Sequence, residues 1–430
     1  MRFAVLTYGT EGDTRPLAFL CRALIDAGHE ALLLADAATL GAAQSLQVPS
    51  VPLPGDIRGM LDPRGAIAGV VKEGSLSGAA RALARIVNRN TVAWTAATKE
   101  AARGCDAILA GGLAGFVGMS TAEHFGVPAI GLGMIPITPT REFASPFLPP
   151  GRVPSFLNRA SQALVNRMLW RAFRHETNRA RKTVLGLPPR RALWQGHSML
   201  YGISPQLLPP PGDWPSNVHV CGQWVRPTVS WTAPPALLDF LDAGEPPLYV
   251  GFGSMQGFDP QSTLSRIIEA VAGRRTLFHP GWSGMSAGAL PPNFHGVPDA
   301  PHDWLFTRVA TVVHHGGSGT SHSACRAGVP SVVVPFAGDQ AFWADRLALI
   351  GVSPRRLKGL PEPGELRRAI DEAASPRIRE RATAVGRRMR EEDGLATAVR
   401  LVERLVGDRA GARAEAGAPS EEERLATGST

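Results

Sequence analysis

The chain has 430 residues, 44% of them hydrophobic, enough to bury cores in more than one domain, so a small disulfide-stapled scaffold is excluded. Lys+Arg 45 against Asp+Glu 37 gives a formal net charge of +8, carried by 41 Arg and only 4 Lys, which suits anionic partners such as phosphates or lipid headgroups but says nothing of fold. Cys21, Cys105, Cys221 and Cys325 stand far apart with no CxxC pair, and no run reaches the roughly 18 apolar residues of a membrane span, so a zinc site, a disulfide framework and a spanning helix are all unexpected. The N-terminus opens on a strand-like run with no signal-peptide pattern, and a cytoplasmic location is expected.

Arg2 to Tyr8 is a short β-branched and aromatic run ending at Gly9, followed by helical spacing of apolar residues from Thr14 to Ala27. Glu30–Ala35, Ser50–Leu53, Asp106–Ala110 and Pro128–Leu132 read as further buried strands separated by helix-length segments, the alternation of a parallel sheet covered on both faces. Residues 152–191 hold nine Arg and one Lys against the single acid Glu176. Within them Leu157, Ala160, Leu164, Met168 and Ala172 recur at helical spacing, and two readings stay open. The helix either packs this apolar face on the first domain and leaves a solvated cationic face, or lies in an anionic membrane interface. Prolines crowd the zone around 205–235, which reads as the interdomain linker. The alternation then restarts with Leu248–Phe252, a helix near 261–272, Thr276–His279, a strand near 294–297, Ala310–His314 and Ser331–Pro335. The expected division is a first domain over 1–215, a second over 216–385, a helix over 386–406 packing back on the first domain, and a disordered tail over 407–430.

Four loops at strand ends carry chemistry. In VVHHGGSGT (Val312–Thr320) a strand breaks into histidines, glycines and hydroxyls and enters a helix near Ser321, where free backbone N–H groups and the helix dipole favour a phosphate. The histidines are either donors to an oxyanion or satisfied buried side chains. In PFAGDQ (Pro335–Gln340), Asp339 and Gln340 suit vicinal sugar hydroxyls, and Asp339 also suits the cap of the next helix. GFGSM (Gly251–Met255) offers Ser254 to a phosphate. In GTEGDTRP (Gly9–Pro16) the glycines have the wrong spacing for a dinucleotide fingerprint, and Asp13 is either a helix cap or a general base facing a cleft.

VVHHGGSGT, the following RAGVPSVVVPFAGDQ (Arg326–Gln340) and PHDWLF (Pro301–Phe306) resemble the donor signature of family 1 glycosyltransferases, and within it the sterol 3-β-glucosyltransferase branch. ITPTREFASPFLP (Ile137–Pro149), LYGISPQLLPPPGDWPSNVHVCGQW (Leu200–Trp224), LYVGFGSM (Leu248–Met255) and GTEGDTRP are similar to the same branch. The resemblance implies an α/β chain of the GT-B fold, two Rossmann-like domains with parallel sheets facing a central cleft. It implies inverting transfer of a hexose, glucose first among them, from UDP-glucose to the hydroxyl of a lipophilic acceptor such as a sterol, triterpenoid, polyketide or glycolipid precursor. No metal and no cofactor beyond the nucleotide sugar are implied. Asp13 becomes the catalytic base; Ser254, His314, Gly317, Ser318, Gly319 and Thr320 become diphosphate contacts; Asp339 and Gln340 become sugar contacts; Trp282, His302 and Trp304 are assigned to the nucleoside. Plant members of the wider family carry a ribose-binding Glu where this chain has His322, and a base-stacking Trp where it has Asp299. The alternatives are a dTDP-deoxysugar transferase and a nucleotide-sugar binder without transfer. The implied partners are donor and acceptor, no nucleic acid, and weak peripheral contact with anionic membrane, on its inner face, through residues 152–191.

Overall fold

A computed structural model describes residues 1–61, 76–226, 231–253, 260–281, 290–359 and 361–416. Two all-parallel sheets organise them. The first has seven strands, β1 (Arg2–Leu6), β2 (Glu30–Asp36), β3 (Ser50–Leu53), β4 (Ala107–Gly111), β5 (Ala129–Gly133), β6 (Ser198–Tyr201) and β7 (Val218–Val220), in the order β3-β2-β1-β4-β5-β6-β7. The second has β8 (Leu248–Gly251), β9 (Thr276–His279), β10 (Phe294–Gly296), β11 (Thr311–His314) and β12 (Ser331–Val333), in the order β10-β9-β8-β11-β12. Strands β4 and β8 are buried along their whole length, as expected where helices cover both faces.

In each sheet the strand order reverses beside the first strand, at β1/β4 and at β8/β11. Ligands of open α/β sheets bind outside the carboxyl ends of strands at such reversals. Both Asp13, after β1, and the His/Gly run, after β11, therefore sit at the topologically favoured place.

The division differs from expectation. β7 pairs with β6 in the first sheet, so residues 216–220 belong to the first domain, and the crossing into the second begins at Cys221. Both strands escaped the sequence pattern because they are short, and β7 is a half-buried edge with Pro215 just before it. At the other end, the helix Pro376–Arg390 packs with the second domain, the chain breaks at 391–393, and a separate helix runs from Gly394 to Ala416 rather than from 386 to 406. It continues ten residues past the point where the tail was expected, and 417–430 lie outside the described residues. Its Leu395, Ala398, Val399, Val402 and Val406 share one core with Leu17, Leu20 and Leu24 of the first helix (Glu11–Asp26). His29 Nε2 meets Glu403 at 2.9 Å, and the amino terminus lies 3.3 Å from Nδ1 of the same ring.

A further core joins the domains. Tyr201, Ile203, Leu207 and Leu208 of the first pack against Phe342, Trp343, Leu347 and Val385 of the second. Ser204 Oγ donates to Glu392 at 2.7 Å, and a Cβ on Gly394 would fall 2.5 Å from the Gln223 carbonyl oxygen. The two chain crossings thus touch each other. Cys21, Cys105, Cys221 and Cys325 are all buried free thiols.

Candidate active site

The loop after β1 enters its helix earlier than the apolar spacing indicated, at Glu11, so Thr10 is the cap residue and Asp13 the third helical residue. The Thr10 backbone N–H donates to Asp13 Oδ2 at 2.8 Å and its hydroxyl donates at 3.3 Å. Asp13 is therefore part of a capping box, but reaching back from inside the helix rather than standing at its start. Gly9 makes this possible, because a Cβ there would lie 2.2 Å from Asp13 Oδ2. Asp13 keeps some accessible surface while protein atoms surround it on all other sides, and that desolvation raises its pKa against the lowering effect of the Thr10 bonds.

Across the cleft, Asp339 stands at the N-cap position of the helix Gln340–Leu349, but its side chain bonds no backbone N–H there and instead accepts from Trp343 Nε1 at 2.7 Å. Burial lifts its pKa to about 6, with the Trp343 bond opposing and the charge of Asp13 adding to the rise. Gln340 is buried, and its carboxamide oxygen accepts from the N–H groups of Phe336 at 2.7 Å and Ala337 at 3.0 Å, so that oxygen closes the loop.

After β11 the chain turns through His315 and Gly316 into the helix Ser318–Ala327, with Gly317 as an extended cap that has no side chain to offer. The N–H groups of Ser318, Gly319 and Thr320 have no intrahelical partner, a ready anion site. Gly316 adopts φ +89, and a Cβ there would meet Val333 Cγ1 at 2.7 Å. His314 is fully buried, and its Nδ1 accepts the Gly316 N–H at 3.1 Å. The ring's own proton therefore sits on Nε2, a buried donor without a protein partner among the described residues. Burial, with His315 and His302 nearby, holds its pKa well below the usual histidine value, so the ring is neutral at physiological pH. His315 and His322 are likewise held to about 4 by burial. His322 Nδ1 donates to the Ser318 carbonyl at 2.7 Å and its ring packs edge-on to Trp343.

Of the other expected contacts, His302 stacks on Phe306 at 4.3 Å and is held to about 4, first by burial and then by Arg15. Trp304 packs edge-on to Trp231, with the Arg308 guanidinium 4.1 Å over its ring. Ser254 and Trp282 lie outside the described residues. The sequence reading overlooked Thr10, which orients Asp13, and Trp343, which holds Asp339. It also overlooked Arg15, which pairs with Glu11 at 3.5 Å and reaches Asp299 of the other domain at 3.7 Å. The spacings of Thr10 with Asp13, Glu11 with Arg15 and Asp339 with Trp343 are visible in the sequence, whereas the contact of Arg15 with Asp299 is not.

The chain is 32% identical over 416 residues to a sterol 3-beta-glucosyltransferase of Arabidopsis thaliana, covering 93% of this chain and 67% of that protein. It belongs to the sterol 3-beta-glucosyltransferase family. A fungal member of the family, from Neurospora crassa, is 31% identical over 438 residues, but the chain spans only 27% of its length. Residues 278–407, which hold the His/Gly run and Asp339, match the family described as erythromycin biosynthesis protein CIII-like, C-terminal domain. Among solved structures, the kitacinnamycin glycotransferase superposes with a TM-score of 0.69 at 20% identity over 94% of this chain and 98% of that one. The glycosyltransferase VinC, solved in complex with dTDP, gives 0.64 at 20% over 95% and 100%. The fold is thereby GT-B, two α/β domains with parallel sheets. Among the described residues no group of three or more His, Cys, Asp or Glu could hold a metal ion, and no helix is long and apolar enough to cross a membrane.

Proposed function

We propose that this family member is an inverting hexosyltransferase that moves glucose from UDP-glucose to the hydroxyl of a lipophilic alcohol, such as a sterol, triterpenoid, polyketide or glycolipid precursor. The observation that carries the reading is the helix N-terminus after β11, with no side-chain cap and the buried His314 beside it, in a fold that also sets Asp13 at the end of β1 of the other domain. Asp13 accepts the acceptor's proton as the hydroxyl oxygen bonds to the anomeric carbon. The bond from that carbon to the diphosphate oxygen breaks on the opposite face, and its electron pair leaves with UDP. A raised pKa makes Asp13 the stronger base, while the Thr10 N–H keeps a share of it ionised. The neutral His314, through its orphan Nε2 proton, and the N–H groups from Ser318 to Thr320 answer the negative charge that develops on the leaving group. Asp339 and Gln340 face the sugar, and His302 and Trp304 are assigned to the nucleoside. The nucleotide sugar is a co-substrate, with no separate cofactor, and the protein works in the cytoplasm.

The test is incubation with UDP-glucose and a panel of hydrophobic alcohols, read as a mass gain of one hexose. One second reading is a dTDP-deoxysugar donor, since VinC, of the same fold, is solved in complex with dTDP. Gain only with dTDP-sugars selects that reading, and tight donor binding without gain on any alcohol leaves a nucleotide-sugar binder.

A further inference from the structure

The Arg-rich segment folds as a short turn, Ser155–Leu157, followed by the helix Asn158–Ala180. Its inward side is polar where the helix meets the loop 140–145. Asn158 Nδ2 donates to the Arg141 carbonyl at 2.9 Å, Gln162 Oε1 accepts the Thr140 N–H at 3.1 Å, and Ser161 Oγ accepts the Ser145 N–H at 3.0 Å. Further along, Trp170 and Phe173 bury themselves against Phe116. Just past the helix, the buried Arg181 grips Glu123 with two hydrogen bonds of 3.0 and 2.9 Å, and Arg190 and Trp194 bond the same carboxylate. The helix is thus fixed in rotation at both ends.

That rotation turns the apolar stripe outward. Phe156 is 83%, Met168 61% and Leu164 56% exposed. Of the nine exposed large hydrophobic residues among those described, four lie on this stripe or in the turn that leads into it: Phe156, Leu157, Leu164 and Met168. At about 100° per residue, Leu157, Leu164 and Met168 fall within roughly 40° of one another, opposite the buried Trp170, Phe173 and Thr177. Arg167, Arg171 and Arg174 line one flank of that stripe, exposed and without an ion-pair partner among the described residues. The first reading of this segment, apolar side packed and cationic side solvated, is therefore overturned.

The geometry points to an anionic bilayer as the occupant of this face, with the helix lying in the interface plane. Leu157, Leu164 and Met168 enter the acyl boundary, and the arginine flank meets headgroup phosphates. Charge selects this occupant over a second copy of the chain, since stacking the face on itself would bring arginines together. The proposal rests on the proposed function only for its purpose, the collection of a water-insoluble alcohol beside the loop 140–145, because docking is measured without transfer.

The experiment is co-sedimentation with phosphatidylcholine vesicles, with and without phosphatidylglycerol, at low and high salt. The full chain is compared with Arg167→Glu/Arg171→Glu/Arg174→Glu and with Leu164→Ser/Met168→Ser. Each basic side chain near an anionic surface is worth about fivefold in partitioning, so the triple reversal loses on the order of a hundredfold or more. Wild-type binding should fall with salt and without anionic lipid, and the serine pair should bind weakly even at low salt. Both variants should keep the wild-type melting temperature, since these side chains touch solvent. Recovery of the wild type in the supernatant under every condition overturns the proposal, as does equal binding by folded variants. A dimer in light scattering that the serine pair dissolves would instead make the face an interface between copies.

Discussion

Asp13 does two jobs that a substitution can separate. Asparagine retains an oxygen to accept the Thr10 N–H, so the helix start survives, but it cannot take a proton. Asp13→Asn is expected to lower turnover by roughly a hundredfold to ten-thousandfold while UDP binding and the melting temperature hold, read by steady-state kinetics beside calorimetry. Turnover near the wild-type value would reduce Asp13 to a cap. Asp339 gives a prediction of opposite kind. Its folded pKa of about 6 lies above the ordinary 3.8, so the native state holds a proton that the unfolded chain has given up between those values. The sign follows: its contribution is full below about pH 4, falls as pH rises toward 6 and stays lost above. Asp339→Asn keeps an acceptor for Trp343 Nε1 and should stabilise by about 2 kcal/mol at neutral pH relative to its effect near pH 4. Melting temperatures of the pair across that range decide it, and a pH-independent difference would mean the carboxyl is not desolvated. The two acids were readable in the sequence because each follows a strand end. The ion pair between Arg15 and Asp299 was not, because only folding brings those distant positions together.

Elements were legible where burial writes a continuous apolar run. Thr276–His279 has the expected bounds and Leu248–Gly251 differs by one residue, while Ser50–Leu53 also has the expected bounds although only its Leu53 is buried. Val218–Val220 was not legible, since a half-buried edge strand of three residues shows no run and Pro215 precedes it. The Arg-rich helix was legible as a helix but not in its rotation. Apolar spacing located a stripe correctly, yet the side chains that choose the inward side are Asn158, Ser161 and Gln162, whose partners lie in another loop. The last helix makes a testable demand at its first residue. A methyl on Gly394 would meet the backbone of Gly222 and Gln223 at 2.5–2.7 Å, where nothing flexible can yield. Gly394→Ala should cost about 1–3 kcal/mol by pushing the helix off its seat, seen as a lower melting temperature. An unchanged melting temperature would show that the helix is not seated there.

At the scale of the whole molecule, the connection from Cys221 onward and the return at 391–393 lie against each other. The chain begins in the first domain and ends its last described helix packed on that same domain, with Met1 and Glu403 both at His29. Topologically the second domain is a loop closed at its neck, not the second bead on a string. Tension applied to the two ends of the chain therefore runs through the first domain alone for as long as the final helix stays docked. In an optical trap the first rupture should shed that helix, and only afterwards should the donor half take load and extend. Were the second domain to extend first, the neck would be shown open.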